Sequence, residues 1–240
     1  MPHRVVEQPV GETTHLSSAM TTPDSAPVGV RDRILDAATR RFAATPFTVV
    51  SVGDIANDAR VSKASVYGHF GSKDELAIAV IDRDLRTLEA ERDSILVHSL
   101  PGLESLIDVN YAVAVYDLTR LGARARIRLL GSIDHACSRT DRRLDAWVAA
   151  MAAPTEHAIA QHDFKPLQVT ELTRFLASMY FGVQRTLSWD EPEAYLRALQ
   201  RSWNWMLPGL LHQERIPYFE DFLERRTAHA IANVQSGRAG

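Results

Sequence analysis

The sequence predicts an all-α protein, with an N-terminal three-helix helix-turn-helix domain followed by a larger helical domain. Three observations carry this. Residues 51–76 read as two short helices about a tight turn, with a third helix starting behind them. From about residue 82 onward, apolar residues recur at three- and four-residue spacing. No stretch shows the two-residue alternation of a half-buried strand, and no internal repeat stands out. With 240 residues, 45% of them hydrophobic, the chain can bury one small core and one larger one.

The elements follow in order. Residues 1–30 are rich in Ser, Thr, Pro and Val without periodicity, and are expected to form a flexible arm. Ile34, Leu35, Ala38 and Phe42 then make one face of an amphipathic helix. Ser51 is an N-cap, and Asp54 supplies the first-turn acid that complements a helix dipole. Ile55, Ala56 and Ala59 give that short helix its apolar side, and residues 57–61 carry the break. Ser62 caps a second short helix whose inward residues are Val66 and Phe70, four apart. Lys63, Ser65, Tyr67 and His69 are left as its polar residues. Ser72 with Glu75 three residues later is a capping-box pattern that opens the next helix. The small domain is therefore placed at 31–80, the large one at 81–235, and a flexible tail at 236–240.

Residues about 31–80 resemble the DNA-binding domain of TetR-family transcriptional regulators. The residues that carry the resemblance are Arg33–Ala38, Phe42-Ala43, Ser51-Val52, Ile55-Ala56, Val61-Ser62-Lys63, Val66-Tyr67, His69-Phe70 and Ser72–Leu76. Two positions depart from it. Arg60 stands in the turn where the family usually has glycine, and Pro46 stands near another usual glycine. Gly53 occupies a place where some relatives carry a base-reading side chain. The resemblance implies a dimer that binds a palindromic operator in double-stranded DNA, one recognition helix per major groove. It implies phosphate contacts from Tyr67, His69 and Lys73. Lys63 and Ser65 would face base edges, with Ala64 near a thymine methyl, and the helix N-termini at Ser51 and Ser62 would add backbone N–H donors. It further implies a repressor released by an unknown small molecule. A regulator that activates, or whose large domain binds a protein partner, is the alternative.

Composition narrows the other classes. The net charge is −3. Residues 31–80 hold seven Lys or Arg against six Asp or Glu, so the domain is only weakly basic, at +1, and placed contacts must supply DNA affinity. The single cysteine, Cys137, excludes an intramolecular disulfide and a zinc-finger spacing. No phosphate loop, nucleophile elbow or metal-ligand motif is recognisable, so no enzyme, cofactor or metal is expected. His157 and His162 are five apart, which does not meet the zinc-protease helix pattern. No apolar run reaches membrane-spanning length and no signal-peptide pattern opens the chain, so a cytoplasmic protein is expected.

The large domain offers two further signals. Leu172, Leu176, Met179, Val183 and Leu187 form one stripe over 167–188. Leu196, Leu199, Trp203, Met206 and Leu210 form another over 192–211. Such stripes serve equally as bundle core or as a dimer interface. The family resemblance implies the interface, built from the last two long helices of each subunit. Tyr218–Val234 reads as one more amphipathic helix. An effector site is expected within 100–165, from Tyr111, Tyr116, Arg124, Arg128, His135, Trp147, Met151 and His157, residues that would equally serve as core or solvated face. Pro101, Pro154, Pro166, Pro192, Pro208 and Pro217 are expected at helix boundaries.

Overall fold

In the computed structural model, the described residues are 29–98, 102–133, 137–186 and 189–239. The expected N-terminal arm falls almost wholly outside them, as do His135 and Leu187. Among the described residues ten α-helices follow one another: α1 (Val30–Ala44), α2 (Val52–Ala59), α3 (Lys63–Phe70), α4 (Lys73–His98), α5 (Leu103–Thr119), α6 (Leu121–Leu130), α7 (Cys137–Ala160), α8 (Val169–Thr186), α9 (Pro192–Leu210) and α10 (Ile216–Ala239). Among the described residues the only strand-like pairing is an isolated bridge between Phe164 and Leu211. None of the described helices is long and apolar enough to cross a membrane.

Two hydrophobic cores form. The smaller gathers Ile34, Leu35, Ala38 and Phe42 of α1, Ile55, Ala56 and Ala59 of α2, and Val66 and Phe70 of α3, all buried. These are the inward residues that the spacing predicts. The same core takes Leu76, Ala77, Val80 and Ile81 from α4, and Ala125 and Leu129 from α6 with Ile133 just beyond it. The larger core is made by α5, α7, α8, α9 and α10, with Leu88 from the second half of α4. The boundary drawn at residue 80 thus lies inside one continuous helix. α4 and α6 each have one face in either core.

Three expectations about the large domain change. Leu172, Leu176, Leu196, Leu199 and Trp203, expected between subunits, are buried inside a single chain. Met179, Val183 and Met206 are half-buried. Each of these helices has an inner apolar face and a second, smaller outer one, which a single stripe cannot distinguish. Pro154 and Pro208 lie within α7 and α9. Pro208 sits in a last turn, where Lys165 Nζ donates to the Pro208 carbonyl at 3.0 Å. α10 runs on to Ala239, so residues 236–239 are helical rather than a free tail.

Candidate DNA-reading head and effector cavity

The head is built by local capping. Ser51 Oγ accepts from the Asp54 N–H at 3.1 Å and donates to Asp54 Oδ2 at 2.7 Å, which fixes the first turn of α2. The Asp54 carboxyl is held below its ordinary range, first by the Ser51 hydroxyl bond. Arg60 closes α2 in the left-handed region, with φ 55 and ψ 51. A non-glycine residue there costs about 1–2 kcal/mol. Two bonds hold it: Arg60 N–H to the Asn57 carbonyl at 3.1 Å, and Val61 N–H to the Ala56 carbonyl at 3.0 Å. The turn therefore keeps the geometry that a glycine would give more cheaply. Ser62 Oγ accepts from the Ser65 N–H at 3.1 Å and starts α3. Gly71, at φ 65, ends it, with its N–H on the Tyr67 carbonyl at 2.8 Å.

α3 buries Val66 and Phe70 and presents Lys63, Ala64, Tyr67, Gly68 and His69 to solvent, with Ser65 half-buried. Lys63, Ala64, Tyr67 and Gly68 share one face by their spacing. Space around Gly68 is open. At Gly53 a Cβ would stand 2.7 Å from Lys63 Cε, so the bare backbone of α2 lets the Lys63 stem lie across it. Lys73 has a second partner set that spacing could not show. Its Nζ donates to the carbonyls of Phe47 at 2.9 Å and Val50 at 3.1 Å, and sits 4.2 Å from the Phe47 ring centroid. It staples the loop before α2 to the start of α4. Arg41 and Asp58 tie α1 to α2 by two bonds of 2.6 and 2.8 Å. The Asp58 carboxyl is lowered chiefly by this hydrogen bond.

A cavity of about 320 Å³ lies in the large domain. Its walls come from α4 (Leu85, Leu88, Glu89, Arg92), α5 (Val113, Asp117), α7 (Ala146, Trp147) and α8 (Tyr180, Phe181, Gln184). Trp147 stacks on Tyr180 with ring centroids 6.3 Å apart, and Phe181 meets Trp147 edge-on at 6.2 Å. The Arg92 guanidinium stands 5.8 Å from the Trp147 ring. The result is an aromatic wall with a few polar groups, at the lower end of the usual size for small-molecule sites.

Of the residues expected at an effector site, only Trp147 lines this cavity. Tyr111 is buried elsewhere; its hydroxyl pairs with Thr227 at 2.6 Å, and burial pushes its ionisation up to about 12. Tyr116 OH donates to Asp84 at 2.8 Å. Met151 is core. Arg128 is half-buried on α6, Arg124 faces Asp190 at 3.9 Å, and His157 is exposed. The residues missed are Arg92, Asp117 and Gln184. A sequence signal for the last two existed: each is a polar residue on an otherwise apolar helical face.

The head and its caps define a helix-turn-helix DNA-binding protein with a separate helical domain. Residues 34–80 match the family model for bacterial regulatory proteins, tetR family. The A-factor receptor protein of Streptomyces griseus is 26% identical over 181 residues, covering 75% of this chain. The match spans 63% of that receptor's length. A solved gamma-butyrolactone receptor (ArpA-like protein) superimposes with a TM-score of 0.65 at 20% identity, over 83% of this chain and 97% of that one. CprB from Streptomyces coelicolor, solved with its operator sequence, gives 0.63 at 20% identity over 82% and 97%. At such identities the solved structures establish the fold.

Proposed function

We propose that this protein is a cytoplasmic transcriptional repressor that binds an operator as a dimer and is released by a small amphipathic molecule of the γ-butyrolactone class. The observation that carries the reading is the position of the cavity: α4 forms one wall of it and, one turn earlier, the core of the head. The names of the relatives, an A-factor receptor and a gamma-butyrolactone receptor, supply the ligand class. The chemistry is compatible. Trp147 and Phe181 offer faces for an alkyl chain or a flat ring, and Arg92 and Gln184 offer donors for carbonyl oxygens.

In this reading Tyr67, His69 and Lys73 hold phosphates, and Lys63, Ala64 and Ser65 meet base edges, with N–H donors at Ser51 and Ser62. Two heads are needed, because one eight-residue helix reads too few bases. The outer faces of α8 and α9 supply the contact between copies. Phe175 and Trp205 are exposed there, and the space beside Gly182 and Gly209 is open.

The test is a fluorescence-anisotropy titration of duplexes selected from a random pool, with and without an alkyl-substituted γ-butyrolactone. Release on the order of tenfold to hundredfold is expected. Ala146→Trp should fill the cavity and abolish release while sparing operator binding. A lactone that binds, seen by calorimetry, without changing operator affinity would refute the switch.

A further inference from the structure

Arg126 is the most deeply buried charge among the described residues, at 0% exposure. It sits on α6 between the two cores. Its Nε donates to Asp84 Oδ2 of α4 at 2.6 Å, and its Nη2 to Asp117 Oδ1 of α5. Burial works against its charge, and the two carboxylates more than offset that, so its ionisation is raised. Nη1 has no partner.

Asp117 faces both ways. Beyond Arg126, its Oδ2 accepts from Tyr180 OH at 3.0 Å and from Gln184 Nε2. Asp117, Tyr180 and Gln184 all line the cavity. Asp84 is held in turn by Tyr116 OH at 2.8 Å. On α6, Gly122 lies one turn before Arg126, and a methyl added there would run into the Asp84 carboxylate. The α4–α6 crossing is therefore set by Asp84, wedged between Gly122 and Arg126. Ala125 and Leu129, on the neighbouring face of α6, are part of the head core against α1.

We propose that Asp117 and Arg126 couple the cavity to the reading head. A bound molecule that hydrogen-bonds to Gln184 or Asp117 draws the carboxylate from Arg126, and α6 then shifts on α4 and carries α1 with it. Arg126 is a positioning residue: it touches neither ligand nor DNA. A buried ion pair contributes little net stability against an apolar substitute, and its best-attested use is to select between arrangements. The unpartnered Nη1 leaves this one incompletely satisfied. This inference rests on the effector reading above.

The test uses the full chain, the selected duplex and the same lactone. Without lactone, Asp117→Asn and Gly122→Ala should each weaken operator binding by about tenfold. Both should speed hydrogen exchange in α1 and α6. Gln184→Leu removes one of the two cavity-side donors, leaving Tyr180 OH, and turns Asp117 toward Arg126, so operator binding should tighten by about threefold. Linkage then requires lactone affinity to rise in Gly122→Ala, whose altered residue lies outside the cavity wall. A purely structural network would lower the melting temperature and leave both affinities of the folded protein where they were. If Asp117→Asn does not fold, Gly122→Ala and Gln184→Leu decide the matter. Operator affinities within twofold of the parent in the folded variants overturn the proposal. Failure of the lactone to bind the parent overturns the ligand class instead, and the lactone-free measurements still judge the coupling.

Discussion

Two tryptophans on one helix separate the core from the proposed interface. Trp203 is 0% exposed and Trp205 is 87% exposed, both on α9. A tryptophan side chain buries roughly 150–250 Å². At about 25 cal/mol per Å², covering Trp205 is worth on the order of 4 kcal/mol per subunit, an upper figure because some area stays wet. Two-fold symmetry counts it twice. Even half of that total corresponds to about a thousandfold in the dimer dissociation constant. Trp205→Ala should therefore convert dimer to monomer in sedimentation equilibrium at micromolar concentration, and should lower the melting temperature only by the concentration-dependent share that dimerisation adds. Operator affinity should fall with it. Trp203→Ala should instead lose about 3–5 kcal/mol of folding stability. If Trp205→Ala dimerises as the parent does, the outer face of α8 and α9 is not the interface. If the parent itself is monomeric at micromolar concentration, the dimer is wrong.

Two further outcomes follow from the head. Lys73→Ala should weaken binding to all duplexes alike and flatten the salt dependence by about one unit, with a drop in melting temperature because the Phe47 and Val50 carbonyls lose their donor. Lys63→Ala should instead relax base preference; a stability loss in Lys73→Ala with an unchanged salt slope would confine Lys73 to stapling the loop. Asp54 and Asp58 have carboxyls held below the ordinary range by Ser51 and Arg41 respectively, so their stabilisation of α2 is present above that range and lost as pH falls from it through their lowered folded-state values. Amide protection factors across α2, exchange rates taken relative to the intrinsic rate at each pH, should fall below about pH 4, and Asp58→Asn should remove part of that pH dependence.

The head was legible because its signals are local. Ser51, Asp54 and Ser62 act within one turn of their own helices, and Val66 and Phe70 are four residues apart, so spacing alone assigns their sides. Arg60 shows the limit of such reasoning. A glycine-poor turn suggests altered geometry, yet the bonds to the Ala56 and Asn57 carbonyls hold the arginine left-handed. Tyr67, Gly68 and Lys63 fall on one exposed face, as helical periodicity requires.

The sequence by itself determined the fold class, the reading head with its caps and inward residues, and the helical nature of everything after it. These depend on period and on short-range hydrogen bonds, which a linear pattern records. The tertiary structure alone decided where the cavity lies, because Leu88, Asp117, Trp147 and Gln184 come from four helices far apart in the chain. It also decided that the 172–176 and 196–203 stripes are core, since periodicity marks an apolar face without saying what covers it. The same holds for Arg126. In the chain it is one of three alternating arginines, which would ordinarily read as a solvated face. Only the meeting of α4, α5 and α6 puts two carboxylates beside it and takes it out of water.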